Sequence, residues 1–526
     1  MKRRFFFFLT LCLAATLGFT SAQELSRSQQ WYHLDPQQDR LGGISTNKVY
    51  EGILADRLLL PVIVAVIDAG VDIEHEDLEE VLWVNPREIP DNGIDDDGNG
   101  YIDDVYGWSF LSGPGGEVHY DTYEMTRELV KYQALEKEGK IAKGSREAAY
   151  LEELRKKHGA KVKEMSKAFK MVSKLKTAND AFLTAVGREG LTEAKIEAFK
   201  PNGKWQKIVK GYYGSALKNK MAIPEAESKL LEGNEQVNGI LNYGLNLEFD
   251  PRGMVGDNYE EWSDPHYGDN RVTGPDASHG THVAGIIAAK RNNGKGMNGI
   301  AANALIMTLR AVPSGDEHDK DVANAIRYAV NNGAKIINMS FGKSYSPQSE
   351  LVASAIHFAL SKDVLLVHAA GNDNTNIDEE NNFPQPFAPD GIHYSNWIEV
   401  GASSFQLNER MIATFSNYGK ESVDVFAPGD HIYATLPGNT YDHNSGTSMA
   451  APVVAGIAAV IRGLYPQLTA PEVRTILMES AFVYEEPVIL PGSKKKKTIL
   501  SDISLTGGVV NLEAAILLAD KKAASR

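Results

Sequence analysis

Cysteine is almost absent. The 526-residue chain holds one, Cys12, which excludes a disulfide framework and any cysteine-built zinc site. Long apolar runs are missing beyond the N-terminus, so no later segment reads as a membrane-spanning helix. A positive excess is missing too. With 54 Lys and Arg against 69 Asp and Glu, the net charge is -15, which argues against sequence-independent binding to a nucleic-acid backbone. The composition, 43% apolar and 23% charged, is not that of a disordered chain, and the length allows two or three domains with a large core. An acidic globular protein of several segments is left.

The N-terminus carries an address. Lys2-Arg3-Arg4 precedes an apolar stretch from Phe5 to Phe19 and the small residues Thr20-Ser21-Ala22, the pattern of a secretory signal peptide over 1–22. The competing reading, a membrane anchor, fits less well because the stretch is short and ends in small residues. Cleavage after Ala22 would remove Cys12 and leave a thiol-free chain suited to the periplasm or the extracellular space.

Residues 23–60 form a polar lead with one short helix expected over Thr46–Leu59. Pro61–Ile67 is then a β-branched run ending at Asp68, and similar runs recur at Ala304–Val312, Ala334–Ser340, Val364–His368 and Trp397–Val400. Helical patterns lie between them, including Val322–Asn331 and Leu351–Leu360. This alternation predicts an α/β fold, a mostly parallel sheet with helices on both faces. Thr469-Ala-Pro-Glu472 is a capping box opening a helix through Ser480. The stretch 116–255 breaks the rhythm with a helical, Lys/Glu-rich insertion between 61–115 and 256–526. Its window 121–230 holds 24 Lys and Arg against 15 Asp and Glu. It reads either as a solvated bundle or as a module that docks on the acidic body or captures an acidic partner.

Three short motifs carry chemistry. Asp68-Ala69-Gly70 closes the first buried run, at the strand end that faces the crevice in open α/β sheets; alone, such an Asp also serves as a turn former. His279-Gly-Thr-His282-Val-Ala-Gly285 opens a helix of small residues that fixes an imidazole able to act as general base. The paired His lack the HExxH pattern of a zinc helix. Ser445-Gly-Thr-Ser448-Met-Ala-Ala-Pro452 begins another small-residue helix, with Pro452 read into its first turn. Ser448 would sit where the helix N-terminus favours developing negative charge, though an ordinary N-cap serine has the same look.

Taken together and in this order, Asp then His then Ser, the motifs resemble those of the subtilases, the subtilisin-like serine peptidases. The likeness covers about 61–110 and 265–520 and lapses across the insertion. It implies a subtilisin-like three-layer sandwich plus a helical insertion. It implies that Ser448 attacks the scissile carbonyl, that His279 takes its proton, and that Asp68 holds the imidazole tautomer. Asn372, at the Gly371-Asn372 turn after Val364–His368, matches the family's oxyanion asparagine. Ser340-Phe341-Gly342 matches the strand that pairs with extended substrate, and Ala370-Gly371 matches the other wall of the primary pocket. Phe341 stands where the family more often has Leu, which leaves the pocket's preference open. Proteins or peptides are the implied substrates. A catalytically silent protein-binding member is the alternative, and an adaptor whose insertion carries the function is a third reading.

The run from Asp91 to Asp104 packs acidic and amide oxygens around Gly98 and Gly100. Asp95, Asp97, Asn99, the Tyr101 carbonyl and Asp103 or Asp104 offer the oxygens that Ca²⁺ takes. It is no EF-hand, because the twelfth position from Asp95 is Tyr106 rather than Glu. A metal-free acidic turn is the alternative, although clustered carboxylates repel one another and favour a cation. Asp77 matches the aspartate by which many subtilases bind calcium. No organic cofactor is implied. The 38 residues of 23–60 are too few for an independently folding inhibitory prodomain. The insertion reads as a lid or a substrate-selecting cap.

Overall fold

The β-branched runs become strands of one nine-stranded sheet. The structure is a computed structural model describing residues 25–219 and 221–525; the expected signal peptide over 1–22 lies outside the described residues. In spatial order the strands are Phe482–Val483, Gly508–Val509, Val425–Pro428, Trp397–Ser403, Leu365–Ala369, Ile336–Met339, Val62–Asp68, Ala304–Arg310 and Gly107–Ser109. Only the first pair is antiparallel; the rest of the sheet is parallel.

Alternation along the central strand builds three layers. Val64 and Val66 face one core with the helices Ser278–Ala288 and Thr447–Leu464. Ala65 and Ile67 face the other, with the helices Asp319–Asn331 and Ser349–Ser361. Each buried Val or Ile contributes about 1.5–3 kcal/mol, and a one-residue slip would exchange the two faces, so register is tightly held. The parallel arrangement brings Asp68, Arg310, Met339 and Ala369 to the same carboxyl edge, where the crevice of such a sheet lies. The helix Thr447–Leu464 is apolar and long enough to cross a membrane by composition, which the sequence reading overlooked; it is 89% buried and forms the centre of the first core.

Two local expectations need correction. The helix begun at Thr46 ends at Glu51, because Gly52 leaves the helical region at φ -117°, ψ -91°, and Leu58 beyond it is 81% exposed. The lead is no loose extension: Trp31 and Tyr32 are buried in the first core. Their Trp31 Nε1 and Tyr32 hydroxyl donate to the carbonyls of His431 and Tyr433, each at 3.0 Å. The Leu512 N–H in turn donates to the Ile44 carbonyl at 3.0 Å.

Between Tyr120 and Val255 the chain is helical at Glu124–Lys137, Arg146–Val186, Glu193–Ala198, Gly203–Lys218 and Ile223–Gly239, the last running into a π-helical turn, Ile240–Gly244. The second helix has 41 residues, a length of about 60 Å. Near its start Leu151 and Leu154 pack in a cluster with Tyr345 of the body. Its far end joins a separate small core around Phe182, Val209 and Tyr213. Most of its surface stays polar, as a Lys/Glu-rich helix requires.

Candidate active site

Asp68 ends its strand and is buried, while His279 is the second residue of its helix. The two meet with His279 Nδ1 at 2.8 and 3.0 Å from the Asp68 carboxylate oxygens. The helix can come this close because residue 280 is glycine: a Cβ there would lie 2.2 Å from the Gly70 carbonyl oxygen and 3.1 Å from Asp68 Cβ. One carboxylate oxygen also accepts the Ala69 N–H at 2.8 Å. A carboxylate on Nδ1 keeps the proton there and leaves Nε2 as the basic nitrogen. Burial pulls the imidazole down, but the charge and hydrogen bond of Asp68 together with the charge of Asp276 outweigh it, so the His279 pKa lies above the ordinary histidine value. His282, one turn on, is buried; its Nε2–H donates to the Asp442 carbonyl at 3.2 Å, and burial pushes its pKa down to about 4.

Ser448 lies at the second position of the helix Thr447–Leu464, past the extended Gly446 cap, so its side chain is not the cap. Its hydroxyl donates to the Ser340 carbonyl at 3.1 Å. Pro452 sits in the second turn, not the first as the sequence suggested. Without an N–H, it leaves the Ser448 carbonyl free of the helix ladder, and the Ser340 hydroxyl donates to that carbonyl at 2.9 Å. Ser340 and Ser448 are thus tied in both directions.

Asn372 is fixed from the same helix. Its Oδ1 accepts the Thr447 N–H at 2.8 Å and the Thr447 hydroxyl at 3.1 Å, which turns the Nδ2 donor away from Thr447. Thr447 Oγ1 also accepts the Gly371 N–H at 3.0 Å. This role for Thr447 was missed; the signal was its place inside the serine motif. Gly371 adopts φ +98°, a left-handed conformation that favours glycine.

The substrate-wall residues divide. Phe341 is half-buried with its ring 6.2 Å from His368, and Gly342 is exposed. Among the described residues the backbone groups of both lack backbone partners. Ala370 is enclosed: its N–H donates to Val400, and its carbonyl accepts from Asn417 at 2.8 Å and Asn382 at 3.1 Å. That leaves the half-buried Gly371 as the more accessible part of this wall. A cavity of about 300 Å³ lined by Asp68, His279, Arg310, Ser314 and Ser340 opens between these elements.

The acidic loop is organised differently from its sequence reading. Asp103 accepts the N–H groups of Asn92 and Gly93 at 3.1 and 2.9 Å. Asp104 is enclosed by Tyr328, Asn85 and Asn99 at 2.5, 2.7 and 3.0 Å. Asn99 Oδ1 accepts the Tyr101 N–H at 2.8 Å. These oxygens therefore serve the loop itself. Asp95 and Asp97 converge instead with Glu88, their carboxylate oxygens within 4.8 Å of one another. Glu88 Oε2 is buried without a partner, and burial, with Asp104 and Asp97 close by, pushes its pKa up. Glu88 lies outside the loop's pattern, in a Pro-flanked turn that carries no metal signature. Asp77 is far from this cluster, accepting from Asn293 Nδ2 at 2.5 Å and Met297 N–H at 3.2 Å.

With this geometry in hand, comparison with known proteins is direct. The Subtilase family (Peptidase S8) matches residues 61–504. The thermophilic serine proteinase of Bacillus sp. (strain AK1) is 42% identical over 185 residues, covering 35% of this chain and 42% of that protein. Subtilisin DY of Bacillus licheniformis is 36% identical over 239 residues, 45% of this chain and 77% of that protein. A solved protease structure from Pseudoalteromonas arctica aligns over 94% of this chain and 97% of that one, with a TM-score of 0.46 and 21% identity. The chain spans less than half the length of the first of these relatives. The family match runs from the first core strand nearly to the last, across all three motifs and the insertion between them, and the chain belongs to the subtilase family.

Proposed function

We propose that this chain is an exported serine endopeptidase that hydrolyses peptide bonds in proteins through an acyl-enzyme. The observation that carries the proposal is the convergence of the Asp68–His279 pair and Ser448 on Ser340, which lines the cavity with the pair and is hydrogen-bonded to Ser448 in both directions. Ser448 turns from the Ser340 carbonyl to His279 Nε2, gives up its proton as it attacks the scissile carbon, and expels the amine that His279 then protonates. Water repeats the sequence on the ester. The developing oxyanion meets Asn372 Nδ2 and the Ser448 N–H, whose position in the first helical turn leaves it without an intrahelical acceptor. Substrate lies extended along Ser340–Gly342. The Lys2–Ala22 segment supports export.

Asn372→Ala is expected to lower kcat about 10²–10³-fold while KM changes little, because the amide acts on charge that exists only in the transition state. Steady-state kinetics on one peptide checks this; an equal loss in KM would place Asn372 in ground-state binding instead.

A structural Ca²⁺ belongs to the same proposal. Glu88, Asp95 and Asp97 would hold it, and the unpartnered Glu88 oxygen fits a hard cation that takes carboxylate ligands. Among the described residues, Glu88, Asp95 and Asp97 have one cationic side chain beside them, Arg87 at 2.9 Å from Asp97 Oδ2, and a divalent ion held there would supply the remaining positive charge. At a hundredfold excess over Kd such an ion contributes about 2.7 kcal/mol, so chelation is expected to lower Tm by a few degrees in calorimetry. Glu88→Gln should abolish that difference. A wild-type Tm indifferent to chelator would remove the site.

A further inference from the structure

The insertion does not stand clear of the active site. A second cavity, of about 470 Å³, is lined by His119, Tyr120, Tyr123, Glu235, Gln236 and Asp276 among others. It shares His119, Asp276 and Ser314 with the cavity that holds Asp68 and His279. The two cavities therefore adjoin, and one wall of the second is the helix Ile223–Gly239.

That helix is held beside the cleft on both sides. Lys229 Nζ lies 3.0 Å from Asp442 Oδ2, on the hairpin strand Thr440–Asn444. The Asp442 carbonyl is the acceptor for His282, one turn beyond His279. Past the other end, the Tyr243 ring stacks on Tyr120 with centroids 4.2 Å apart and planes 14° apart. The Gly244 carbonyl accepts the Tyr123 N–H at 2.8 Å and the Thr126 hydroxyl at 2.7 Å. The helix thus passes along the histidine side of the cleft with Glu235 on the cavity.

The charge of the second cavity is one-sided. Glu235 is exposed and forms no ion pair or hydrogen bond among the described residues. Asp276, three residues before His279, accepts the Ser278 N–H at 3.0 Å, and its charge acts on the imidazoles of His119 and His279. No Lys or Arg lines the second cavity. The insertion is basic as a whole, yet this helix carries four Glu and one Lys. Tyr120 and Tyr123 add aromatic faces, against which the methylenes of a long cationic side chain pack while its head reaches the carboxylates.

Resting on the peptidase reading above, we propose that the helix Ile223–Gly239 is a substrate-selecting wall, and that Glu235 opposite Asp276 receives a Lys or Arg side chain of the polypeptide being cut. An acidic side chain entering the same space meets two unpaired carboxylates and is rejected, so the pair also works by repulsion.

The test uses the full chain and internally quenched peptides that differ only by Lys, norleucine or Glu at one position, scanned along the sites flanking the cut. Wild type is expected to favour Lys over norleucine about tenfold at one position, and Glu least. Glu235→Gln should shrink that ratio several-fold, and Glu235→Lys should reverse the order of Lys and Glu. Glu164→Gln, on the exposed face of the Arg146–Val186 helix, should leave the ratios as they are. Equal rates for Lys and norleucine at every position, or an undiminished ratio in Glu235→Gln, overturns the inference while leaving a working peptidase. A wild type that neither cuts any peptide nor labels at Ser448 overturns the peptidase reading and this one with it.

Discussion

Ser448→Ala protein is expected to take up no fluorophosphonate and to lose about 10⁶ in kcat, the scale on which a triad serine acts in subtilisins. The size follows from what is removed: with no nucleophile, the Asp68–His279 pair has no proton to take, and only binding and the oxyanion donors remain. KM for peptides should change little, because Ser448 touches substrate covalently and not in the extended pairing along Ser340–Gly342. Gel labelling of wild type beside the variant reads the first effect, and steady-state turnover reads the second. Unlabelled wild type would instead favour a silent binding scaffold, the competing reading of the same fold.

Asp68→Asn is expected to cost about 10⁴ in kcat near neutral pH, since an amide at this place favours the wrong imidazole tautomer. The pH profile adds a sign that a merely structural defect would not produce. His279 must be neutral to accept the serine proton, so activity falls as pH drops through its pKa. In the wild type burial lowers that pKa, and the charge and hydrogen bond of Asp68 with the charge of Asp276 raise it further than burial lowers it, so the acid limb of kcat/KM should lie above the ordinary histidine range. Removing the charge moves the limb to lower pH. A limb that stays in place would mean that the carboxylate does not set the titration of His279.

Much of this was legible before any coordinates. Val62–Asp68 reads as a doubly buried strand because Val and Ile fill all of it but Ala65 and the closing Asp68, and the structure seats both of its faces under helices. The subtilase likeness rested on motifs whose glycines do mechanical work, and Gly280 shows which work that is: it lets a helix approach Asp68 to contact distance. What stayed hidden depends on long-range contact. Glu88 has no pattern linking it to Asp95, and only the folded turn brings them together. Thr447 orients Asn372 across 75 residues of chain. Pro452 looked like a helix starter because the cap was placed too late; its function is to free a carbonyl one turn back. The Thr46 helix was overextended because the apolar spacing continues past Gly52 while the backbone does not.

The buried lead has a consequence for timing. Trp31 and Tyr32 find their acceptors at His431 and Tyr433, and Ile44 pairs with Leu512; Asp68 and His279 lie 211 residues apart. Contacts of such sequence separation are slow to close. A ribosome delivers the chain from its N-terminus, so the lead waits unpaired through most of synthesis, and the central helix with its nucleophile is made late. The Asp68–His279–Ser448 site is therefore not assembled until the helix Thr447–Leu464 has been made, so the hydrolysis proposed for it is withheld from the place of synthesis by the order in which its parts appear.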